Sequence, residues 1–167
     1  MEALSTRRIV KSGVIAAIYV VLTVALSVLS YGSIQFRVAE ALMLLCLFSK
    51  DYVVALTLGC FIANIFSTVG VIDAVVGTAA TLFAGVCIYL SRNKLNFFTA
   101  SIFPVLFNAV FVGLELWIVL NAPLVLSMIE VAIGEIVCVT IVGGLLMKAL
   151  SKNKAFMSMI KNEQETI

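Results

Sequence analysis

The sequence contains no histidine. That removes a common zinc ligand and the one side chain that ordinarily titrates near neutral pH. Its four cysteines, Cys46, Cys60, Cys87 and Cys138, lie far apart inside apolar runs. They form neither a metal-type pair nor a disulfide framework, and they read as small packing residues. No nucleophile–base arrangement, phosphate-binding glycine loop or metal spacing occurs, so no catalytic set and no metal site are expected. Without an ATP-binding motif the chain has no means of using ATP itself. Charge is scarce, at 12% of residues, and the net charge of +2 carries no nucleic-acid signal.

What fills the chain is apolar. Its 167 residues are 63% hydrophobic, with a mean hydropathy of +1.19. A soluble domain of this size cannot hide that much apolar surface, so composition points to an all-α polytopic membrane protein. At ~20 residues per span plus short loops the length holds about five or six helices. Residues 1–150 read as a single six-helix transmembrane substrate-binding domain, and 151–167 as a cytoplasmic polar tail. No cleavable signal peptide is expected. The first apolar run follows Arg7, Arg8 and Lys11, but it is too long for an h-region and lacks a clear small-residue cleavage site.

The first span is expected from Ile9 to Leu29, ending at Ser30, Tyr31, Gly32 and Ser33. The second apolar segment, Arg37 to Phe48, is short, about 18 Å as an α-helix against a ~30 Å hydrocarbon core. The third runs from Tyr52 to Thr68, the fourth from Asp73 to Leu90, and the fifth from Phe97 to Leu120 with a kink expected at Pro104. Pro123 suits the first position of the sixth, which reaches about Met147. The tail keeps Phe156, Met157, Met159 and Ile160 among its lysines and is expected at the membrane surface.

Basic residues fix an orientation. With six spans, ten of the eleven Lys and Arg residues fall on one side: Arg7, Arg8, Lys11, Lys50, Arg92, Lys94, Lys148, Lys152, Lys154 and Lys161. By the positive-inside rule that side is the cytoplasm, with both termini inside. Arg37 is the exception and belongs to the outer end of the second segment.

Six charges then lie in or at the ends of spans without being cytoplasmic: Arg37, Glu40, Asp73, Glu115, Glu130 and Glu135. Charges in a bilayer face a cavity or a partner because they cost several kcal/mol otherwise. All but Glu135 fall in the outer half. The pattern points to an outward-opening pocket, to which Asn64 and Asn108 add polar groups. Asn108 lies seven residues before Glu115 and shares its helix face. Trp117 offers a flat ring for stacking.

Structural readings stand beside these. Arg37 and Glu40 are spaced to pair with each other. Asp73 follows Gly70 and can cap the fourth helix. Glu130 and Glu135, five apart, cannot both point into one pocket, and Trp117 can serve as an interfacial belt residue. Carboxylates outnumber the single arginine, which favours a cationic or hydrogen-bonding ligand. In the first helix Ser12, Gly13, Ala16 and Ala17 form overlapping small-xxx-small pairs. These suit either packing inside the bundle or docking of another membrane protein.

The runs IQFRVAEALMLL and LGCFIANIFSTVGVIDAVVGTAATLFAG resemble the QueT family, and the resemblance covers nearly the whole chain. That family belongs to the substrate-binding S components of energy-coupling factor (ECF) transporters. The resemblance implies a six-helix subunit that captures a micronutrient outside the cell and docks on a transmembrane coupling protein carrying two cytoplasmic ABC-type ATPases. ATP is then a partner's cofactor and none is needed in this chain. The family name implies a queuosine precursor, a 7-deazaguanine such as the aminomethyl form. Related S components carry pyridoxine or the pyrimidine part of thiamine, so those ligands stay open. So do a stand-alone ion- or proton-coupled carrier using Glu115, Glu130 or Glu135, and a membrane scaffold whose charges are structural pairs.

Overall fold

The structure is a computed structural model and describes residues 6–31 and 34–160. Gly32 and Ser33 of the first loop, and the tail beyond Ile160 with Lys161, lie outside the described residues. The described chain is helical throughout. Helix α1 is Thr6–Ala25, followed by a short turn, α2, Ser27–Ser30. A 3-10 helix, Val38–Leu47, comes next. Then follow α3 (Lys50–Asn64), α4 (Val71–Ser91), α5 (Phe97–Ala100), α6 (Ile102–Leu120), α7 (Leu124–Glu135), a π-helical segment (Ile136–Gly143), α8 (Gly144–Leu150) and α9 (Lys154–Ile160).

Four helical stretches are long and apolar enough to cross a membrane: Thr6–Ala25, Val71–Ser91, Phe97–Leu120 and Leu124–Leu150. Val38–Leu47 is apolar but shorter. The large hydrophobic side chains left exposed, such as Val21, Phe66, Leu90 and Ile118, suit contact with lipid.

The short second segment sits at the centre of the bundle. It packs against α1, α3, α4 and the π segment, and Ala39, Glu40, Ala41, Met43, Leu44, Leu45 and Cys46 are all buried. Its 3-10 form departs from the α-helix expected, and it lengthens the segment. At ~2.0 Å per residue it reaches farther than an α-helix of the same length, although the form is uncommon over so many residues. The last helix is fitted to it. A Cβ on Gly134 would lie 2.3 Å from the backbone oxygen of Gln35, and one on Gly143 would lie 3.1 Å from Cα of Ala41. These glycines bracket the π segment and seat the chain leading into and through the 3-10 helix.

Local signals explain the other boundaries. Ser49 caps α3 by accepting from the Asp51 amide. Asn96 and Thr99 form a capping box at α5. The α5–α6 break falls at Ser101, just before Pro104, whose ring crowds the carbonyl four residues earlier. Pro123 takes the N-cap position of α7, with ψ 117°, one residue before the place expected of it. Asn121 makes the preceding turn with φ 54°. Helix α9 folds back onto the bundle. Its Phe156 and Met157 pack on the hydrophobic core, and the Tyr52 hydroxyl donates to the Ile160 carbonyl at 2.8 Å.

Candidate functional site

Arg37 stands at the threshold of the 3-10 helix, with φ −87° and ψ 80°, and is only 1% exposed. It does not pair with Glu40, as the spacing allowed. Its Nη2 lies 3.5 Å from Oδ1 of Asp73, in the first turn of α4, and donates to Gln35 Oε1 at 3.3 Å. Asp73 is therefore not the helix cap; Gly70 holds that position. One turn along α4, Gly77 leaves the room this ion pair occupies. A Cβ there would meet Asn64 Nδ2 at 2.4 Å and Arg37 Nη1 at 3.5 Å. Asn64, at the end of α3, donates to the Asp73 carbonyl at 3.1 Å and so ties α3 to the start of α4.

Glu40 lies one 3-10 turn beyond Arg37 and is fully buried. One of its oxygens accepts a hydrogen bond from the Tyr19 hydroxyl of α1 and another from Thr81 of α4, the latter at 3.4 Å. Thr81 also contacts the sulfur of Cys60 at 3.2 Å. Glu135, the last residue of α7 before the π segment, accepts from Asn108 Nδ2 of α6 at 2.9 Å. Glu40 and Glu135 are electrostatic neighbours. The 3-10 helix and α1, α3, α4, α6 and α7 thus all contribute a polar side chain to one buried region.

Many of the atoms gathered there have no hydrogen-bond partner. Among the described residues these include Oε2 of Glu40, Oε2 of Glu135, Oδ1 of Asn64, Oδ1 of Asn108 and Nε of Arg37. Oδ1 of Asp73 also accepts no hydrogen bond, although Arg37 lies beside it. Leaving a buried polar atom unsatisfied costs about 1–3 kcal/mol, so a set of them is unusual in a purely structural core.

A cavity of about 220 Å³ adjoins this region. Asp73 and Gln35 line it, together with Tyr31, Ser127, Glu130 and the loop residues Thr68 and Ala122. Glu130 and Glu135 accordingly serve different places, the first in the cavity wall and the second on Asn108. Glu115 is 3% exposed, and neither of its oxygens has a hydrogen-bond partner. It lines an apolar groove of about 280 Å³ with Ile72, Val76, Phe111 and Ile118, between α4 and α6. It shares the buried face of α6 with Asn108, as the spacing implied, but the two make different contacts. Trp117 is 49% exposed and lines neither space.

The structure therefore joins Arg37, Glu40, Asn64, Asp73, Asn108 and Glu135, sets Glu130 and Glu115 beside them, and leaves Trp117 apart. It adds Tyr19, Gln35 and Thr81, which the sequence reading missed. Tyr19 carried a usable signal, a phenol inside an apolar span four residues before Thr23. Both face inward, and Thr23 bonds back to the Tyr19 carbonyl at 2.9 Å.

At the opposite end of α1 and α3, Arg8 grips Asp51 with two contacts of 2.7 Å. The pair borders a groove of about 340 Å³ that is also lined by Ser12, Gly13 and Ala16. Ala16 is committed to the bundle, since a Cβ on Gly59 would lie 3.0 Å from its carbonyl oxygen. Gly13 and Ala17 face outward, and Gly13 has no neighbour within 4 Å of a would-be Cβ.

Comparison with known proteins gives two matches. The family described as QueT transporter matches residues 9–152. The chain is 36% identical to the Queuosine precursor transporter QueT of Lactococcus lactis subsp. cremoris (strain MG1363), over 91% of this chain and 96% of that protein. No solved structure matches the chain.

Proposed function

Because the chain belongs to the QueT transporter family, we propose that it is the substrate-capture subunit, or S component, of an ATP-driven ECF importer in the cell membrane. Its relatives are transporters and not enzymes. In this reading the ligand is a queuosine precursor of the 7-deazaguanine type, held by Arg37, Glu40, Asn64, Asp73, Asn108 and Glu135. The carrying observation is the convergence of these side chains, with unpartnered oxygens, inside a bundle whose outer surface is apolar. Buried polar groups in a membrane protein mark a substrate path because hydrocarbon offers them nothing in return.

The bundle crosses the membrane six times with both termini in the cytoplasm, a topology supported by the distribution of the basic residues. The cavity bordered by Glu130 then opens outward. Energy comes from outside the chain: a transmembrane coupling protein carries two cytoplasmic ABC-type ATPases, which use the ATP. The outward-facing Gly13 and Ala17 of α1, beside the Arg8–Asp51 groove, suit close approach of a helix of that coupling protein.

Uptake of a labelled aminomethyl-7-deazaguanine by vesicles tests this. Vesicles containing the chain, the coupling protein and both ATPases are expected to accumulate the label only with internal ATP. Accumulation by the chain alone under a proton gradient would favour an ion-coupled carrier. Displacement of the label by pyridoxine or hydroxymethylpyrimidine at lower concentration than by the unlabelled precursor would reassign the ligand.

A further inference from the structure

The unpartnered atoms of the buried region are unequal in kind. Oxygens predominate: Oε2 of Glu40, Oε2 of Glu135, Oδ1 of Asn64 and Oδ1 of Asn108. Against them stands one N–H group, Nε of Arg37. A ligand that satisfies such a set donates several hydrogen bonds and accepts few. The outer cavity differs in character. Its wall carries the carboxylate of Glu130 at the loop end of the bundle, beside apolar residues such as Leu116 and Leu120. Asp73 belongs to both places, as partner of Arg37 and as part of the cavity wall, so the two regions are contiguous.

We infer that the ligand binds with a donor-rich ring edge, an N–H beside an NH2 group next to a single carbonyl, turned inward onto Glu40, Glu135 and Arg37, and with its cationic side arm turned outward toward Glu130. The inference rests on the capture reading above and adds an orientation to it. A carboxylate accepts adjacent N–H and NH2 groups as a bidentate pair, while the guanidinium donates to the carbonyl. An aminomethyl arm places its charge against Glu130, where partial exposure leaves room for arms of other sizes. The reverse pose would leave the inner oxygens facing a single ammonium group, which has too few donors to satisfy them.

Calorimetric titration of the purified full-length protein with four compounds separates the outcomes. The parent is 7-deazaguanine with an aminomethyl arm. The second replaces the arm with a nitrile, the third enlarges the arm, and the fourth lacks the 2-amino group. Loss of the 2-amino group is expected to weaken binding about tenfold to a hundredfold, the effect of stranding a buried acceptor. The two arm changes are expected to weaken it less than tenfold. In Glu130→Gln, whose side chain is only half-buried, the aminomethyl and nitrile compounds are expected to converge in affinity. If an arm change costs as much as the edge change or more, or if the edge change costs nothing, the orientation is overturned while the capture reading stands. If the parent itself does not bind, the capture reading fails and the orientation with it.

Discussion

Arg37 and Asp73 meet at 3.5 Å in the interior of a largely apolar bundle, and neither has appreciable exposed surface. Removing one partner strands the other as an uncompensated buried charge. Arg37→Met is therefore expected to lower stability by about 3–5 kcal/mol. The double variant Arg37→Met with Asp73→Leu is expected to recover most of that loss while ligand binding stays absent. Thermal unfolding in detergent checks the first statement and calorimetry the second. A single variant as stable as the unmodified protein would mean that the pair is not needed for the fold.

Gly134 faces the backbone of Gln35, and the 2.3 Å approach of a would-be Cβ leaves no flexible atom to move aside. Gly134→Ala is expected to cost at least about 1–3 kcal/mol by overpacking. Gly13→Ala, with open space around it, is expected to be neutral or slightly stabilising, because alanine favours the helix by about 1 kcal/mol. Parallel melting curves of the two variants decide the point, and equal effects would contradict this packing.

The helical segments were legible because apolar runs, charge clusters and turn residues mark them directly. The fifth was read as Phe97 to Leu120, and the apolar helical stretch has those bounds, apart from the break at Ser101. That the polar residues of the spans gather was legible too, and Arg37, Glu40, Asp73, Asn108 and Glu135 do meet. Their partners were not. Arg37 at three residues from Glu40 looked like a local pair, and only tertiary packing brings Asp73 and Gln35 to it instead. The 3-10 and π forms were also hidden, since an apolar run carries no sign of which helix it adopts. Trp117 shows the converse: a suggestive residue type lies on a face turned away from the site.

Tyr19 donates to Glu40 from within α1. Tyr19→Phe removes the donor without changing the packed shape, and it leaves that Glu40 oxygen with only the 3.4 Å contact from Thr81. A stability loss of about 1–3 kcal/mol is expected, together with weaker ligand binding, because Glu40 loses the group that orients it. Binding that survives unchanged would take Glu40 out of the site.

Glu115 is buried with no hydrogen-bond partner for either oxygen. Glu115→Leu removes a desolvated polar group and is expected to raise the melting temperature. If Glu115 has a functional role, transport falls in the same variant, the exchange common at functional sites. A variant with higher stability and full transport would make Glu115 dispensable.

Ala17→Trp places bulk on the outward face of α1, whereas Ala16→Trp places it where the backbones of α1 and α3 approach closely at Gly59. The Ala17 variant is expected to bind ligand normally and to fail to co-purify with the coupling protein and ATPases. The Ala16 variant is expected to lose stability first. Intact assembly of the Ala17 variant would move the docking face elsewhere.

The most direct measurement is a structure of the full-length protein with the aminomethyl-7-deazaguanine bound. The expected result is ligand density within hydrogen-bond distance of Glu40, Glu135 and Arg37. Density confined to the lipid-facing groove beside Glu115, or unchanged contacts around the buried polar side chains at saturating ligand, would contradict it.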